Sequence, residues 1–536
     1  MFLTVLSSWE VCLHCHAKYG MVMLGKEVMT LTKEKGRVPA WVMTVLGALW
    51  LGFFPLWQDG SYTRITRAKW LGMLGLSGLT AAAVFVIVIA LLIRREGKKI
   101  RLHPIQGLAL AYLAWVLLSA CCGSMASSIN DNGQLTVWMG ARRYEGALTL
   151  SCYVGVFLLM SLYPPRLRVV LNVASLGMLI YATIVALQYL GHNPFGLFPA
   201  PLNVRTTYEF QGPIGNIDMV SNYVCLIMPA LLFSFVLNRT GLLCLLAGSV
   251  GMLMLLMMEV QSSEITLAVV LGALVILMLL RPKTRGRGCV ALACALAMLT
   301  LRLLTGLPWL DGTEDLLFPF APAVWKFAPL MVAALLLLLA AWLSRRPGPA
   351  APVWCVVLLV ALGIAAALAA VLLISFPEGS ALWELGEVLH GRPQDSFGSE
   401  RLGIWRLTLE LAQRSLIFGT GPDAFWYAMP EYMIETNQQV LWQRFDNPHN
   451  MLLTVLSGSG VPALLLYIAL MAAMTVVCLR ASRRDPLSLA LLAGLAAYQL
   501  QGLFTFSICL VSPMFWALLG IALSRIRRQE VLIDAN

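Results

Sequence analysis

Apolar runs of about twenty residues recur along the chain from residue 38 to residue 525, and this recurrence constrains the fold more than any other feature. Each run can cross a hydrocarbon core roughly 30 Å thick as a helix. Fourteen such spans are predicted, at 38–57, 70–93, 105–121, 146–163, 169–190, 219–237, 241–259, 264–280, 288–306, 323–344, 353–375, 450–473, 487–506 and 510–524. The fold class is therefore all-α, a polytopic integral membrane protein. Of the 536 residues 59% are hydrophobic and only 12% are charged, where a soluble chain carries about 25% charged residues. An ordinary cytosolic enzyme is excluded.

The net charge of +11 has three candidate meanings: nucleic acid, anionic lipid or topology. With the N-terminus inside, 25 of the 38 Lys and Arg residues fall on the cytoplasmic side, 11 outside, and Arg302 and Lys326 within spans. Every short cytoplasmic connection is then basic, which predicts both termini inside and leaves no charge that requires nucleic acid. The organisation reads as a cytoplasmic tail (1–37), spans one to eleven (38–375), a long extracytoplasmic loop (376–449), spans twelve to fourteen (450–525) and a cytoplasmic tail (526–536). Loops that long are uncommon and often functional, so this one is expected to carry the active site.

The twelve cysteines are scattered and none lies in the long loop, so no disulfide framework is implied. Cys12 to His16 read CLHCH, the C-x-x-C-H pattern of haem attachment, on the predicted inner side without a second ligand; chance occurrence is the favoured reading. The opening MFLTVLSSW is interrupted by Glu10 and lacks a basic start, which makes a poor signal peptide. Within spans, Glu259, Glu264, Arg302 and Lys326 require explanation, since a charge at the bilayer centre costs at least about 2.5 kcal/mol; Lys326 is expected to snorkel.

The long loop holds the strongest local signal, GSERLGIWRLTLELAQRSLIFGTGPDAF followed by FDNPHNMLLTVLSGSGVPALLLY. Residues 400–417 read as a helix with Ser399 as N-cap, ended by Gly419, Gly421 and Pro422. Arg401 and Trp405 share a face, while Arg406 lies about 140° round the helix from Arg401. Glu410 is placed to pair with Arg406, which leaves Arg401 freer for an anion. His449 follows Asn447 and Pro448 and precedes span twelve. Two readings stand: a neutral imidazole acting as general base at the membrane surface, or a residue that caps span twelve. Asp446, three residues earlier, is placed to orient the imidazole. No acidic pair in the outer loops is spaced as a convincing Mg²⁺ site, with only isolated Asp59, Asp395 and Asp446 as candidates, so no metal or other cofactor is expected.

These residues carry a resemblance. NPHNMLLTVLSGSGVPALLLYIAL resembles the His-Asn-x-x-Leu plus Gly pattern of the O-antigen ligase and polymerase superfamily, and ERLGIWRLTLELAQRSLIFGTGPDAF resembles its Arg-x-x-x-Trp helix and Gly-x-Gly-Pro turn. ARRYEGALTLSCYVGVF and GPIGNIDMVSNYVCLIMPALL are similar to two further segments, so the likeness runs from about residue 140 to 475. It implies a glycosyltransferase fold of the C type in a bacterial cytoplasmic (inner) membrane, with a glycan on undecaprenyl pyrophosphate as donor and an unspecified hydroxyl as acceptor. It further implies His449 as the catalytic histidine and Arg401 as a donor-pyrophosphate residue, with Arg406 on the same helix as a second candidate. Where many members have Ser-Arg-Gly, this chain reads Ser262, Ser263, Glu264, and the second pyrophosphate arginine is missing. Arg142, Arg143 or Arg205, all expected outside, are candidates to replace it. Asn216 and Tyr223 are expected to pack. A polymerase of lipid-linked repeat units fits the same chemistry; a lipid-linked glycan transporter is the reading of another class, and a degenerate relative a third.

Overall fold

The apolar runs fold as helices. The computed structural model describes residues 37–93, 102–198, 210–238, 241–305, 334–335, 337–339, 342, 381–398, 400–436 and 446–534. Cys12 to His16, Arg205, Lys326, Ser399, predicted span eleven and most of span ten lie outside these residues.

Nine helices take the places of the first nine predicted spans: α1 (Arg37–Ala48, continued by a π-turn Leu49–Phe53 and a 3-10 turn Phe54–Leu56), α2 (Ile65–Ile93), α3 (Pro104–Cys122), α4 (Ala147–Met160), α5 (Leu167–Tyr189), α6 (Ile217–Asn238), α7 (Leu242–Met258), α8 (Gln261–Leu280) and α9 (Arg285–Thr305). The loop region contributes α10 (Ala381–Leu389), α11 (Arg401–Gln413) and α12 (Phe425–Glu435), and the chain closes with α13 (Met451–Ala481), α14 (Leu487–Gly502) and α15 (Ser512–Asp534). Among the described residues, eight helices are long and apolar enough to cross a membrane. Strand structure there is confined to a two-residue antiparallel pairing of Phe210 with Asn216 and Gln211 with Gly215, plus one isolated bridge.

Helix α6 is the axis of the bundle. Nearly all of it is buried, and it packs against α14 and α7. Small residues set these spacings, as is usual for helices packed in lipid, where close backbone approach replaces hydrophobic driving force. A Cβ on Gly494 of α14 would lie 2.3 Å from the Leu226 carbonyl oxygen of α6. Only hydrogen fits there.

Where α1 unwinds before Pro55, carbonyls lose their helical partners. Lys69 of α2 replaces them: its fully buried ammonium donates to Phe54 O at 2.7 Å and Pro55 O at 3.0 Å, over the Phe54 ring. The charge count places Lys69 in an outer connection, one residue ahead of predicted span two; it lies in the opening turns of α2 with its Nζ buried, because unsatisfied carbonyls inside a bundle are costly enough to draw a donor to them.

The two ends of the bundle differ in charge. At one end the Arg281 guanidinium donates to Ser482 O at 3.1 Å, Arg525 pairs with Asp485, and Arg527 donates to Ser161 O at 3.2 Å. Residues expected to share a side thus meet. The opposite end gathers the connections that lead into and out of α2, α3, α4, α6, α13 and α14, together with α11 and α12.

Candidate active site

The site begins with a break in α13. Gly460 has φ +79° and Pro462 follows, so carbonyls that would serve the helix are released. The predicted Gly-x-Gly-Pro turn fills the break: Thr420 N donates to Ser457 O at 2.8 Å and Gly421 N to Gly458 O at 2.9 Å, while Val461 N donates to Leu416 O at 2.7 Å. A Cβ on Gly419 (φ +65°) would lie 2.6 Å from Ser457 O. The turn also binds the connection after α3, since Ser119 Oγ donates to Phe418 O at 2.6 Å, Ser124 N to Gly419 O at 3.1 Å and Met125 N to Thr420 O at 2.9 Å. These bonds explain why α11 ends at Gln413 and not at 417 as its periodicity predicts: the carbonyls of Leu416, Ile417 and Phe418 serve α13, Trp115 and Ser119 instead.

Directly after the turn, Asp423 clasps the segment before α4. Its Oδ2 accepts from Ala141 N at 2.9 Å and Glu145 N at 3.2 Å. Gly140 (φ +92°) allows this approach, because a Cβ there would meet Asp423 Oδ2 at 2.6 Å. Arg143, in the middle of the clasped segment, donates through Nε to Asp446 Oδ2 at 2.5 Å and lies with its guanidinium 4.0 Å from the centre of the Phe506 ring. Burial pushes the Asp423 carboxyl up to about 6, against two amide hydrogen bonds and the Arg143 charge that draw it down. Burial also raises Glu145, which accepts from Tyr153 Oη at 2.6 Å, well above the usual carboxyl range. A cavity of about 70 Å³ opens beside them, lined by Arg143, Glu145, Asp423, Asn447, Tyr498 and Phe506 among others.

His449 also contacts Phe506, the two rings perpendicular with their centres 5.2 Å apart. It has φ +50°, an uncommon conformation for a residue with a Cβ. Asn447 supports it: its Oδ1 accepts from His449 N at 2.8 Å and its Nδ2 donates to Asp446 Oδ1 at 2.7 Å. Trp405 of α11 donates from Nε1 to Pro448 O at 3.0 Å, which ties the arginine helix to the histidine turn. Span twelve is capped by Asn450, whose Oδ1 accepts from Leu452 N and Leu453 N. Of the two readings for His449, the cap is thus taken by its neighbour. The imidazole Nδ1 is buried and has no hydrogen-bond partner among the described residues. Burial first, then the charges of Arg401 and Arg143, push the imidazole pKa down to about 4, with Asp446 opposing.

Of the residues singled out in the sequence, Arg143 and Asp446 pair, and both, with Arg401, lie within electrostatic reach of His449. Arg406 does not join them: as anticipated it pairs with Glu410 at 3.0 Å, and it also pairs with Asp395 at 3.0 Å. Its guanidinium is exposed and holds two carboxylates, a different setting from that of Arg401 and Arg143. Asp59 lies 3.5 Å from Arg64. Among the described residues no three His, Cys, Asp or Glu side chains gather as a metal site. Arg302 pairs with Glu259 and donates to Leu256 O at 3.1 Å, which accounts for two of the charges inside spans. Tyr223 is fully buried against Tyr181, and Asn216 caps the start of α6 through Asp218 N at 3.0 Å.

Two contributors escaped the sequence reading. Asp218, in the first turn of α6, lies within electrostatic reach of both Arg401 and Arg143; an acid opening an apolar span was the available signal. Phe506 had none, since one aromatic ring in an apolar run looks like any other.

Fold and site together define a multi-pass helical membrane protein with a polar site built where a broken helix meets the helices of the long loop. Residues 326–468 match the family model described as O-Antigen ligase, a stretch that contains Arg401, Arg406, Asp446 and His449 but not Arg143. Over that stretch, about a quarter of its length, the chain is similar to the O-antigen ligases. No curated protein matches it.

Proposed function

We propose that the protein transfers a glycan from undecaprenyl pyrophosphate to an acceptor hydroxyl at the outer face of a bacterial cytoplasmic membrane, with both termini inside, fourteen spans and no metal. Arg401 and Arg143 bind the pyrophosphate and His449 takes the acceptor proton. The observation that carries this reading is a buried imidazole, in a loop that matches the ligase family model, whose Nδ1 has no hydrogen-bond partner among the described residues and which lies within electrostatic reach of two guanidiniums.

The acceptor oxygen attacks the anomeric carbon, its proton passes to His449, and the bond from that carbon to the pyrophosphate oxygen breaks. The negative charge that develops on the departing oxygen is held by planar guanidiniums, so binding strengthens toward the transition state. In the resting site the same two cations oppose protonation of His449. A pyrophosphate between them cancels that opposition and makes the imidazole more basic once the donor is bound. Arg143 supplies the charge that Glu264 lacks, after it exchanges Asp446 for phosphate.

General-base catalysis contributes roughly 10² to 10⁴ in rate. His449→Ala is expected to lose about that much release of undecaprenyl pyrophosphate, measured by mass spectrometry on purified protein given lipid-linked glycan and acceptor, while inserting normally. Equal release by the variant defeats the assignment.

A further inference from the structure

Beside the clasp that holds Arg143, four side chains from two segments form a second arrangement that the chemistry at His449 does not use. Arg142 is exposed where Arg143 is not, and its guanidinium lies 4.2 Å from the centre of the half-exposed Trp426 indole. Asp131 holds the group from both sides: Oδ2 is 3.8 Å from Arg142 Nε, and Oδ1 accepts from Tyr427 Oη at 3.2 Å. The loop that presents Asp131 is itself built. Asn130 Oδ1 accepts from Asn132 N and Gln134 N, both at 3.0 Å, and Asn130 Nδ2 donates to Gly140 O at 2.9 Å.

We propose that Arg142, Trp426, Asp131 and Tyr427 form a saccharide subsite, which rests on the glycan-transfer reading above and extends it. A pyranose presents hydroxyls in pairs and a C–H face. A planar guanidinium, a carboxylate and a phenol held in one geometry match the hydroxyl pairs, and an indole matches the C–H face. The arrangement suits a neutral ligand and not a phosphate, because Asp131 already balances Arg142 and would repel an anion. Its place is dictated by the chain: Arg142 is bonded to Arg143, and adjacent Cα atoms are about 3.8 Å apart. Sugars next to a pyrophosphate on Arg143 therefore come within reach of Arg142. Both substrates of such a reaction can be glycans, and the same chemistry would hold either one.

The test uses the full chain in nanodiscs, with undecaprenyl pyrophosphate carrying one sugar or four as donor probes and mono- or oligosaccharides as acceptor probes. Loss of the few hydrogen bonds and the indole face is expected to lower the long-to-short ratio of kcat/KM about tenfold in Trp426→Ala and Arg142→Ala, with Trp426→Phe within about threefold of the parent. If the ratio falls for donors, the occupant is the donor glycan; if for acceptors, the acceptor glycan. An unchanged ratio for both overturns the subsite, including the case of variants that lose activity equally on long and short probes.

A second measurement separates this proposal from the reading beneath it. Saturation-transfer NMR with free oligosaccharides of neutral hexoses and N-acetylhexosamines, on His449→Ala protein, needs no turnover. Signal that Trp426→Ala abolishes supports the subsite even if no lipid-linked donor is consumed, in which case the transfer reading alone fails. No signal from any oligosaccharide overturns the subsite while leaving donor turnover to judge the reaction.

Discussion

Arg401→Gln tests whether the donor switches on its own base. The ordinary imidazole value is 6.5 and His449 sits at about 4, with burial the largest cause and Arg401 the next. The substitution leaves burial and Arg143 in place and removes one cation. In an effective dielectric near 20, a unit charge at a generic separation of about 10 Å is worth roughly 1.7 kcal/mol, or a little over one pH unit, which sets the scale of the change. The resting pKa should therefore rise, by an amount on the order of one unit, and remain below 6.5 because burial and Arg143 still oppose the proton. The sign follows from the charge state: the guanidinium opposes a proton on His449, so its loss favours the imidazolium.

NMR titration of labelled histidine, with His449→Asn to identify the signal, measures this directly. In the parent, adding a nonreactive lipid pyrophosphate should move the same resonance upward, because phosphate cancels Arg401 and Arg143 together. In Arg401→Gln the ligand-induced rise should shrink, and transfer should fall roughly 10- to 150-fold through the lost charge-assisted bonds. A pKa that stays at its resting value both on the substitution and on ligand binding would refute the coupling of donor and base.

Two further outcomes follow from the architecture around that pair. Asp423→Ala leaves the amides of Ala141 and Glu145 without their acceptor, so the clasp loosens and the donor KM should rise about tenfold, by the roughly 1–3 kcal/mol that an unsatisfied buried group costs. Asp423→Asn retains an oxygen for both bonds and should stay near the parent in steady-state assays; equal defects in the two variants would contradict the clasp. Gly419→Ala forces a Cβ to within 2.6 Å of Ser457 O at φ +65°, and should destabilise the folded protein by about 2–5 kcal/mol, seen as a lowered thermal transition in nanodiscs. A normal transition would show that the turn does not seat in the α13 break.

Much of this molecule was legible in its sequence. Spans one to nine and twelve to fourteen coincide with described helices, because apolar length is a local property. The Arg406–Glu410 pair followed from helical spacing and is present. The motif singles out Arg401 and His449, and Trp405 ties their two segments together so that the Arg401 charge reaches the imidazole. Less legible were Lys69, which the charge count assigns only to a side and not to the helix break that it fills, and the end of α11, which falls four residues short of its periodicity. Both depend on carbonyls released elsewhere in the chain.

Composition and periodicity thus determined that this chain is a bundle of membrane-crossing helices with a polar loop, and local spacing determined the loop's helix and its ion pair. Only the tertiary structure brought Arg143, from a distant segment, within electrostatic reach of the histidine. Arg143 meets Asp446 across 303 positions of sequence and Asp423 reaches Ala141 across 282, and no local pattern encodes contacts at such separation. They arise because a glycine break in α13 frees backbone groups that the Gly-x-Gly-Pro turn must satisfy, and seating that turn carries Asp423, and through it Arg143, into the site.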